Sequence, residues 1–96
     1  MEDTASNVFI QLKYRIAVDK DGTRCYYNAL GQLHNEDGPA VILPTGSEFW
    51  YYNGQRHREN GPAIEWHDGT KEWHIFGKRY TEDKYWSELS EAQWQR

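Results

Sequence analysis

A period of 23 residues in the middle of the chain constrains its fold more than any other feature. Residues 31–53 (GQLHNEDGPAVILPTGSEFWYYN) align without gaps with residues 54–76 (GQRHRENGPAIEWHDGTKEWHIF), and nine of the 23 columns are identical. Composition alone would give about one or two identities. The identical pairs are Gly31/Gly54, Gln32/Gln55, His34/His57, Glu36/Glu59, Gly38/Gly61, Pro39/Pro62, Ala40/Ala63, Gly46/Gly69 and Trp50/Trp73. Such a period predicts stacked equivalent units.

Partial copies flank the two full units. A third copy begins at Gly77, but Tyr80 stands in its histidine column and Lys84 stands in a glycine column. On the other side, residues 21–28 (DGTRCYYN) resemble the second half of a unit, with one extra residue before Gly31. The two breaks predict a short, closed module rather than a slice of a long array.

Each unit has the pattern of two short strands joined by turns. The first strand column is predicted over residues 40–43 and 63–66, and the second over residues 48–52 and 72–76. The turns between them contain Gly46 and Gly69, because a tight hairpin needs a residue with positive φ. The segment 54–62 leads to the next hairpin. Within it a second turn is predicted at Gly61, and the equivalent turn of the first unit is predicted at Gly38, each glycine with a positive φ.

The two ends of the chain differ from the repeats. From Val8 to Val18 the even-numbered residues are apolar, which is typical of a half-buried strand. After Tyr80 the period changes: Thr81 is a suitable N-cap, and apolar residues at helical spacing predict an amphipathic helix that ends near Trp94.

These patterns together predict a mainly β protein. It is made of stacked antiparallel β-hairpin repeats of 23 residues in a single curved sheet, with a C-terminal capping helix. The predicted organisation is a flexible N-terminus at 1–7, the hairpin sheet at 8–80 and the capping helix at 81–96.

Composition excludes several classes of function. The 96 residues carry a formal net charge of -4, and no basic stripe suited to duplex DNA is present. No apolar run approaches the length of a membrane span, and the acidic start at Met1 is unlike a signal peptide. With one cysteine, Cys25, no internal disulfide forms. We therefore expect a cytoplasmic protein that contacts neither duplex DNA nor membrane.

The string from Tyr52 to Ala63, YNGQRHRENGPA, resembles the MORN-like variant repeats of bacterial and bacteriophage proteins. Full and partial copies cover about residues 16–83. The resemblance implies stacked β-hairpins with aromatic side chains packed unit on unit, and no single function. Small solitary proteins of this kind look like phage accessory proteins, some of which inhibit host enzymes.

The histidines and the cysteine are the candidates for chemistry. His34 and His57 each precede a glutamate by two residues, a pattern open to metal binding or catalysis. We favour a structural role in the loop, since Tyr80 replaces the histidine in the third copy and zinc needs four converging ligands. Cys25 is more simply a small buried apolar residue than a nucleophile. We predict no metal, no cofactor and no enzymatic activity.

Strand alternation divides the sheet residues between two faces. Tyr26, Trp50 and Trp73 recur as large aromatics and predict a stacked core seam. The opposite face varies from unit to unit, which is expected of a contact surface, although packing under the N-terminal strand or the helix is an equal alternative. The predicted partner-binding residues are Tyr27, Ile42, Phe49, Tyr51, Glu65, Glu72 and His74 on the sheet, with Glu88 and Glu91 on the helix.

Three classes of function remain open. The first is a non-enzymatic protein-interaction module that inhibits a host or defence protein, with a basic nucleic-acid-handling enzyme as the partner suited to its acidic groups. The second is a small-ligand module that holds a nucleotide with arginine and aromatic side chains. An enzyme is the third, and no paired acid–base constellation supports it. Homo-oligomerisation through an open sheet edge is compatible with all three.

Overall fold

The computed structural model of the chain describes residues 15–94, with side chains through residue 90. The strands are Arg15–Val18 (β1), Arg24–Tyr27 (β2), Val41–Ile42 (β3), Glu48–Phe49 (β4), Tyr51–Tyr52 (β5), Gln55–Arg56 (β6), Ile64–Glu65 (β7), Lys71–Ile75 (β8) and Lys78–Tyr80 (β9). Seven of them form one antiparallel sheet in the order β1-β2-β3-β4-β7-β8-β9, and the helix Glu82–Trp94 (α1) follows. The prediction of a mainly β fold with a C-terminal helix is confirmed.

The N-terminal strand is described only from Arg15 onward. Residues 8–14 of the predicted strand, and the whole of the predicted segment 1–7, lie outside the described residues. Within β1 the predicted burial of one face is wrong, because Ile16 and Val18 are 55% and 60% exposed. The described end of this strand therefore lies at the rim of the sheet.

Three-residue glycine turns set the register of the two central hairpins. The N–H of Leu43 donates to the carbonyl of Ser47, and the N–H of Gly46 donates back to the carbonyl of Leu43. The same two bonds recur 23 residues later, where the turn closes at Gly69. Both glycines have the positive φ that this type of turn requires, as predicted. This turn places Val41 opposite Phe49.

The prediction of a single sheet is wrong at Trp50, where the second strand of the first unit breaks. Beyond it β5 pairs with β6 in a separate two-stranded ribbon. The turn of this ribbon is Asn53-Gly54, with φ values of 47° and 85°, which is the geometry of a type I′ hairpin. Residues 54–56 thus form a turn and a strand, where the sequence predicted a plain connection.

The prediction that Gly38 and Gly61 have positive φ is also wrong, since neither lies in that region. At Gly61 the constraint is a neighbour: a Cβ there would lie 2.9 Å from Cζ of Arg58. At Gly38 the nearest atom would be Nδ2 of Asn35 at 3.8 Å, an ordinary contact. The two glycines therefore stand in one column of the repeat for different reasons.

The helix begins at a cap and covers one end of the sheet. The N–H of Lys84 donates to Oγ1 of Thr81 at 3.3 Å, which confirms the predicted N-cap. The helix packs against β8 and β9, and its Tyr85 and Leu89 are buried. Tyr85 contacts the ring of Trp73 at a centroid distance of 5.1 Å. Among the described residues, the buried apolar side chains are Ala40, Ala63, Ile64, Tyr85 and Leu89. The core is accordingly small.

Replacing Gly38 and Gly61 tests whether steric crowding requires glycine at position 61 but not at position 38. Gly61→Ala should destabilise the protein by about 1–3 kcal/mol, because the new methyl group displaces a guanidinium held by several partners. Gly38→Ala should change the free energy of unfolding by less than about 1 kcal/mol. Arg58→Asn, which installs the residue of the first unit, should restore tolerance of Gly61→Ala. Urea unfolding of the single and double variants measures this, and equal losses at both glycines would contradict it.

Tyr85→Phe tests the attachment of the helix to the sheet. The phenol donates to the part-buried carbonyl of Arg58 and accepts the buried N–H of Gly61 at 3.3 Å, so loss of the hydroxyl removes a hydrogen-bond partner from both backbone groups. We expect a loss of about 1–3 kcal/mol in the free energy of unfolding. Tyr80→Phe, at a half-buried position, is the matched control and should cost less than about 0.5 kcal/mol. Equal effects would show that the phenol does not hold the helix.

Candidate functional site

Two equivalent loops, one in each unit, carry a buried histidine with the same contacts. His34 lies in the loop of the first unit, and His57, directly after β6, lies in the loop of the second. Nδ1 of His34 accepts the N–H of Asn53, and Nδ1 of His57 accepts the N–H of Phe76, both at 2.9 Å. A nitrogen that accepts this bond carries no proton, so the proton of each neutral imidazole is assigned to Nε2. Both residues are more than nine-tenths buried. Each imidazole therefore connects its loop to the turn that lies 19 residues further along the chain.

The second nitrogen of each imidazole holds a glutamate. Nε2 of His34 lies 3.2 Å from Oε2 of Glu36, and Nε2 of His57 lies 3.3 Å from Oε2 of Glu59. The glutamate side chains are half exposed, at 50% and 51%. Each unit thus presents to solvent a carboxylate that is oriented from below by a buried imidazole. This arrangement supports the structural role predicted for the histidines.

A column of rings runs across the two units. The ring of Tyr52 stands between the imidazoles of His34 and His57, at centroid distances of 4.7 Å and 5.9 Å. The ring of Phe76 stacks on His57 at 3.9 Å, with the two planes 15° apart. Phe76 has a φ of 43°, a left-handed conformation that a bulky residue rarely adopts. Its ring is 52% exposed and ends the column.

Arg58 fixes the loop of the second unit. Its guanidinium lies 3.8 Å from the ring centroid of Trp50, a cation–π geometry. It donates to the carbonyl of Pro62 at 3.0 Å and to the side chain of Asn60 at 3.1 Å, and it lies 3.4 Å from a carboxylate oxygen of Glu65. The positive charge of Arg58 is therefore engaged within the protein.

A groove of about 790 Å³ lies between the two loops. Its aromatic lining comes from Trp50, Tyr51, Tyr52 and Phe76, and its acidic lining comes from Glu36, Asp37 and Glu59. The lining also includes Arg58, whose charge is opposed by Glu65. The groove is consequently acidic and aromatic, a combination suited to a cationic ligand.

Of the predicted partner-binding residues whose side chains the structure describes, Tyr51 alone lines this groove. Nε of Arg56 donates to its phenol oxygen at 3.3 Å. The predicted neighbour relation between Phe49 and Ile42 is wrong, because the register pairs Phe49 with Val41 and Ile64. Ile42 pairs with Glu48 on the other face of the sheet.

The remaining sheet residues are dispersed. Glu65 lies on the face of Ile42, where it meets Arg58. Tyr27 lies on β2 with a raised phenol pKa, caused first by the charge of Cys25. Phe49 contacts the ring of Trp66 at 5.2 Å.

His74 and Glu72 form a pair on β8 instead of an open surface. His74 is buried, and its Nε2 lies 3.3 Å from Oε1 of Glu72. Burial alone raises the pKa of Glu72, but the hydrogen bond from His74 and the charge of Arg79 outweigh burial and lower it. On the helix, Glu88 lies 3.7 Å from Nζ of Lys84, and the side chain of Glu91 lies outside the described part.

The sequence analysis does not predict the groove, although it names several of the residues that line it. Glu36 and Glu59 recur in the repeat, but the sequence analysis assigns a role only to the histidines that precede them. The ribbon turn at Asn53-Gly54 is the signal that could have located Tyr52 beside the histidines, because Asn-Gly is a strong hairpin sequence.

Neither protein-family models, nor curated proteins, nor solved structures gave a match to this chain. Across residues 15–94, no helix has the length and apolar character needed to cross a membrane. Among the side chains that the structure describes, no three His, Cys, Asp or Glu residues gather into a group able to hold a metal ion. The function is therefore argued from the groove.

His57→Phe tests the structural role of the imidazoles. The substitution keeps a ring that stacks on Phe76 but removes Nδ1, the acceptor of the backbone N–H of Phe76. We therefore expect a loss of about 1–3 kcal/mol in the free energy of unfolding. His67→Phe makes the same change at an exposed turn position and should cost less than about 0.5 kcal/mol. Thermal and urea unfolding compare the two. Indistinguishable stabilities would show that the Nδ1 contact contributes nothing.

Proposed function

We propose that this protein is a non-enzymatic protein-interaction module that binds a basic segment of a partner protein. The observation that carries the proposal is the groove between the two loops, which joins aromatic walls to three carboxylates. Lysine and arginine side chains have apolar stems that pack on aromatic rings and charged ends that meet carboxylates. The groove offers both kinds of contact within one concave surface.

The carboxylates at the groove are preorganised. Because Nε2 of His34 and of His57 holds one oxygen of each glutamate, part of the entropy cost of ordering these side chains is met in the free protein. Preorganised charges of one sign favour fast and selective encounter with a basic surface. This supports a partner with clustered positive charge, such as a nucleic-acid-handling enzyme.

Phe76 supplies a second line of support. Its equivalent in the first unit is Asn53, a residue type that adopts left-handed φ at low cost, whereas a phenylalanine there costs about 1–2 kcal/mol. Strained residues of this kind occur preferentially at functional sites. The exposed ring of Phe76 at the wall of the groove fits that pattern.

A nucleotide-binding module is the second candidate. A smaller pocket of about 470 Å³ brings Lys71 and Arg79 beside Trp73 and Tyr80, the residue types that hold phosphate and base. Glu72 lines the same pocket, and its lowered pKa keeps it ionised at neutral pH, where it repels phosphate. The basic peptide is therefore the ligand we favour.

The resemblance to MORN-like repeats extends the proposal. On that resemblance alone, we propose that the module is a cytoplasmic, phage-type accessory protein that inhibits a host or defence protein. Occupation of the partner's basic surface is the means of inhibition that the acidic groove suggests.

Phe76→Asn tests the binding role of the groove. The variant loses the stacking on His57 but relieves the strain of the left-handed φ. The free energy of unfolding should therefore stay within about 1 kcal/mol of the wild-type value. Affinity for a lysine- and arginine-rich peptide should fall at least about tenfold, since an aromatic anchor is lost. Isothermal titration calorimetry and urea unfolding give the two quantities.

Two control variants locate the surface. Leu30→Asn removes an apolar side chain that is 84% exposed outside the groove, and Glu88→Gln removes a carboxylate on the helix. Neither should change peptide affinity. Loss of binding in Glu88→Gln with none in Phe76→Asn would move the site to the helix. Saturable binding of ATP with no binding of the peptide would favour the nucleotide module.

A further inference from the structure

We infer that a second copy of this chain binds at β1, the strand that ends the sheet on the side away from the helix. The two copies pair their β1 strands antiparallel, about a twofold axis at Ala17. The inference goes beyond the proposed function and does not rest on it, because no residue of β1 lines the groove. Three features of β1 carry it: the direction of its backbone groups, an exposed apolar pair and the order of its charges.

The outer side of β1 presents backbone groups that pair with no other strand in the described part of the chain. The N–H of Asp19, directly after β1, donates to the carbonyl of Thr23 on the β2 side at 2.9 Å. Because the backbone groups of successive residues point to opposite sides of a strand, those of Ala17 also point to β2, and those of Ile16 and Val18 point outward. An edge of this kind is a template for a further strand.

Two side chains give this edge an apolar contact surface. Ile16 and Val18 are 55% and 60% exposed, and they share one face of the strand. Pairing about Ala17 places Ile16 of each copy directly opposite Val18 of the other, so the apolar side chains cover one another. Cross-strand pairs of β-branched residues stabilise a sheet. The exposed pair is therefore buried by a second copy in this arrangement.

The charges at the two ends of the strand select the register and the partner. Residues 15–19 read RIAVD, so an axis at Ala17 places Arg15 of each copy opposite Asp19 of the other. Both side chains are exposed and lie on one face of the strand, where the guanidinium of Arg15 is 5.3 Å from the ring centroid of Tyr27. Moving the axis by one residue in either direction removes both ion pairs. Because this order of charges complements itself, it favours a second copy over the strand of another protein.

Sedimentation equilibrium of the full chain tests the self-association. We expect a dimer with a dissociation constant of about 1–100 μM, since the contact is smaller than a standard protein interface. Arg15→Asp and Asp19→Arg should each raise that constant at least about tenfold, because the twofold axis places each like-charge pair in the dimer twice. Lys71→Asp makes the same change of net charge as Arg15→Asp, at an exposed position on β8. This control should leave the dissociation constant unchanged.

Mixing the two charge variants tests the register. Copies with Arg15→Asp carry a carboxylate at both ends of the strand, and copies with Asp19→Arg carry a guanidinium at both ends. An equimolar mixture should therefore form a mixed dimer at least about tenfold more tightly than either variant dimerises alone. The double variant, with both changes in one chain, should dimerise as tightly as the unaltered protein.

Val18→Thr tests the apolar contact without a change of charge. Threonine keeps the branched shape but places a hydroxyl in the contact, so the dimer should weaken about fivefold. Because position 18 is exposed in the single chain, urea unfolding should show unchanged stability for the monomer. The same urea measurement on the charge variants shows that each of them folds.

Restored association in the mixture and in the double variant supports the inference. A monomer at every concentration up to about 1 mM overturns it, as does a dimer that neither charge reversal nor Val18→Thr weakens. A dimer that both reversals weaken and mixing does not restore overturns the pairing about Ala17. If the protein is monomeric and Val18→Thr instead weakens binding of the basic peptide, the edge serves the partner protein. Peptide affinity that none of these variants changes leaves the proposed function standing, whatever the result for the dimer.

Discussion

Two buried imidazoles, those of His34 and His57, connect the backbone of the sheet to its outer surface. One nitrogen of each ring accepts the N–H of a distant turn, and the other holds a glutamate at the groove. Both rings also make edge-on contacts with Tyr52, which joins the two units side to side, and His57 stacks on Phe76. A polar side chain performs this task because a sheet with so few aliphatic residues cannot fix its loops by apolar packing alone.

The shortage of aliphatic residues also explains how the far end of the sheet is covered. The last unit has no following unit to cover it, and the helix supplies Tyr85 and Leu89 instead. Tyr85 is buried against Trp73 while its hydroxyl bonds to the backbone of the loop at Arg58 and Gly61. An aromatic residue with a polar end thus combines apolar burial with backbone pairing. The site and the cap of the fold depend on the same loop.

Local signals predicted the fold well, and tertiary contacts account for what they missed. The glycine turns at Gly46 and Gly69 and the cap at Thr81 follow from short-range chemistry and were predicted correctly. The faces of the sheet were not, because register depends on the number of residues in a turn, and Ile42 consequently lies away from Phe49. Likewise, no pattern in the sequence indicates that the guanidinium of Arg58 closes the space above Gly61. The carboxylates of the groove were visible as a repeat, but their placement beside Tyr52 required the ribbon, a feature of tertiary structure.

Differences between the two units separate what builds the fold from what builds the site. Asn35 and Arg58 share a column, and each donates to the carbonyl of the proline four residues later, so the loop is closed in both units. Only Arg58 continues to a carboxylate, and the column that holds Glu65 in its unit holds Ile42 in the other. The arginine that replaces Asn35 and the glutamate that replaces Ile42 thus occur in the same unit. This is expected if the charge of a half-buried arginine has to be opposed within its own unit. The charge of Arg58 is therefore paired within its own unit. The repeat therefore places a histidine-held glutamate in each unit, and the departures from the repeat add an ion pair that is confined to the second unit.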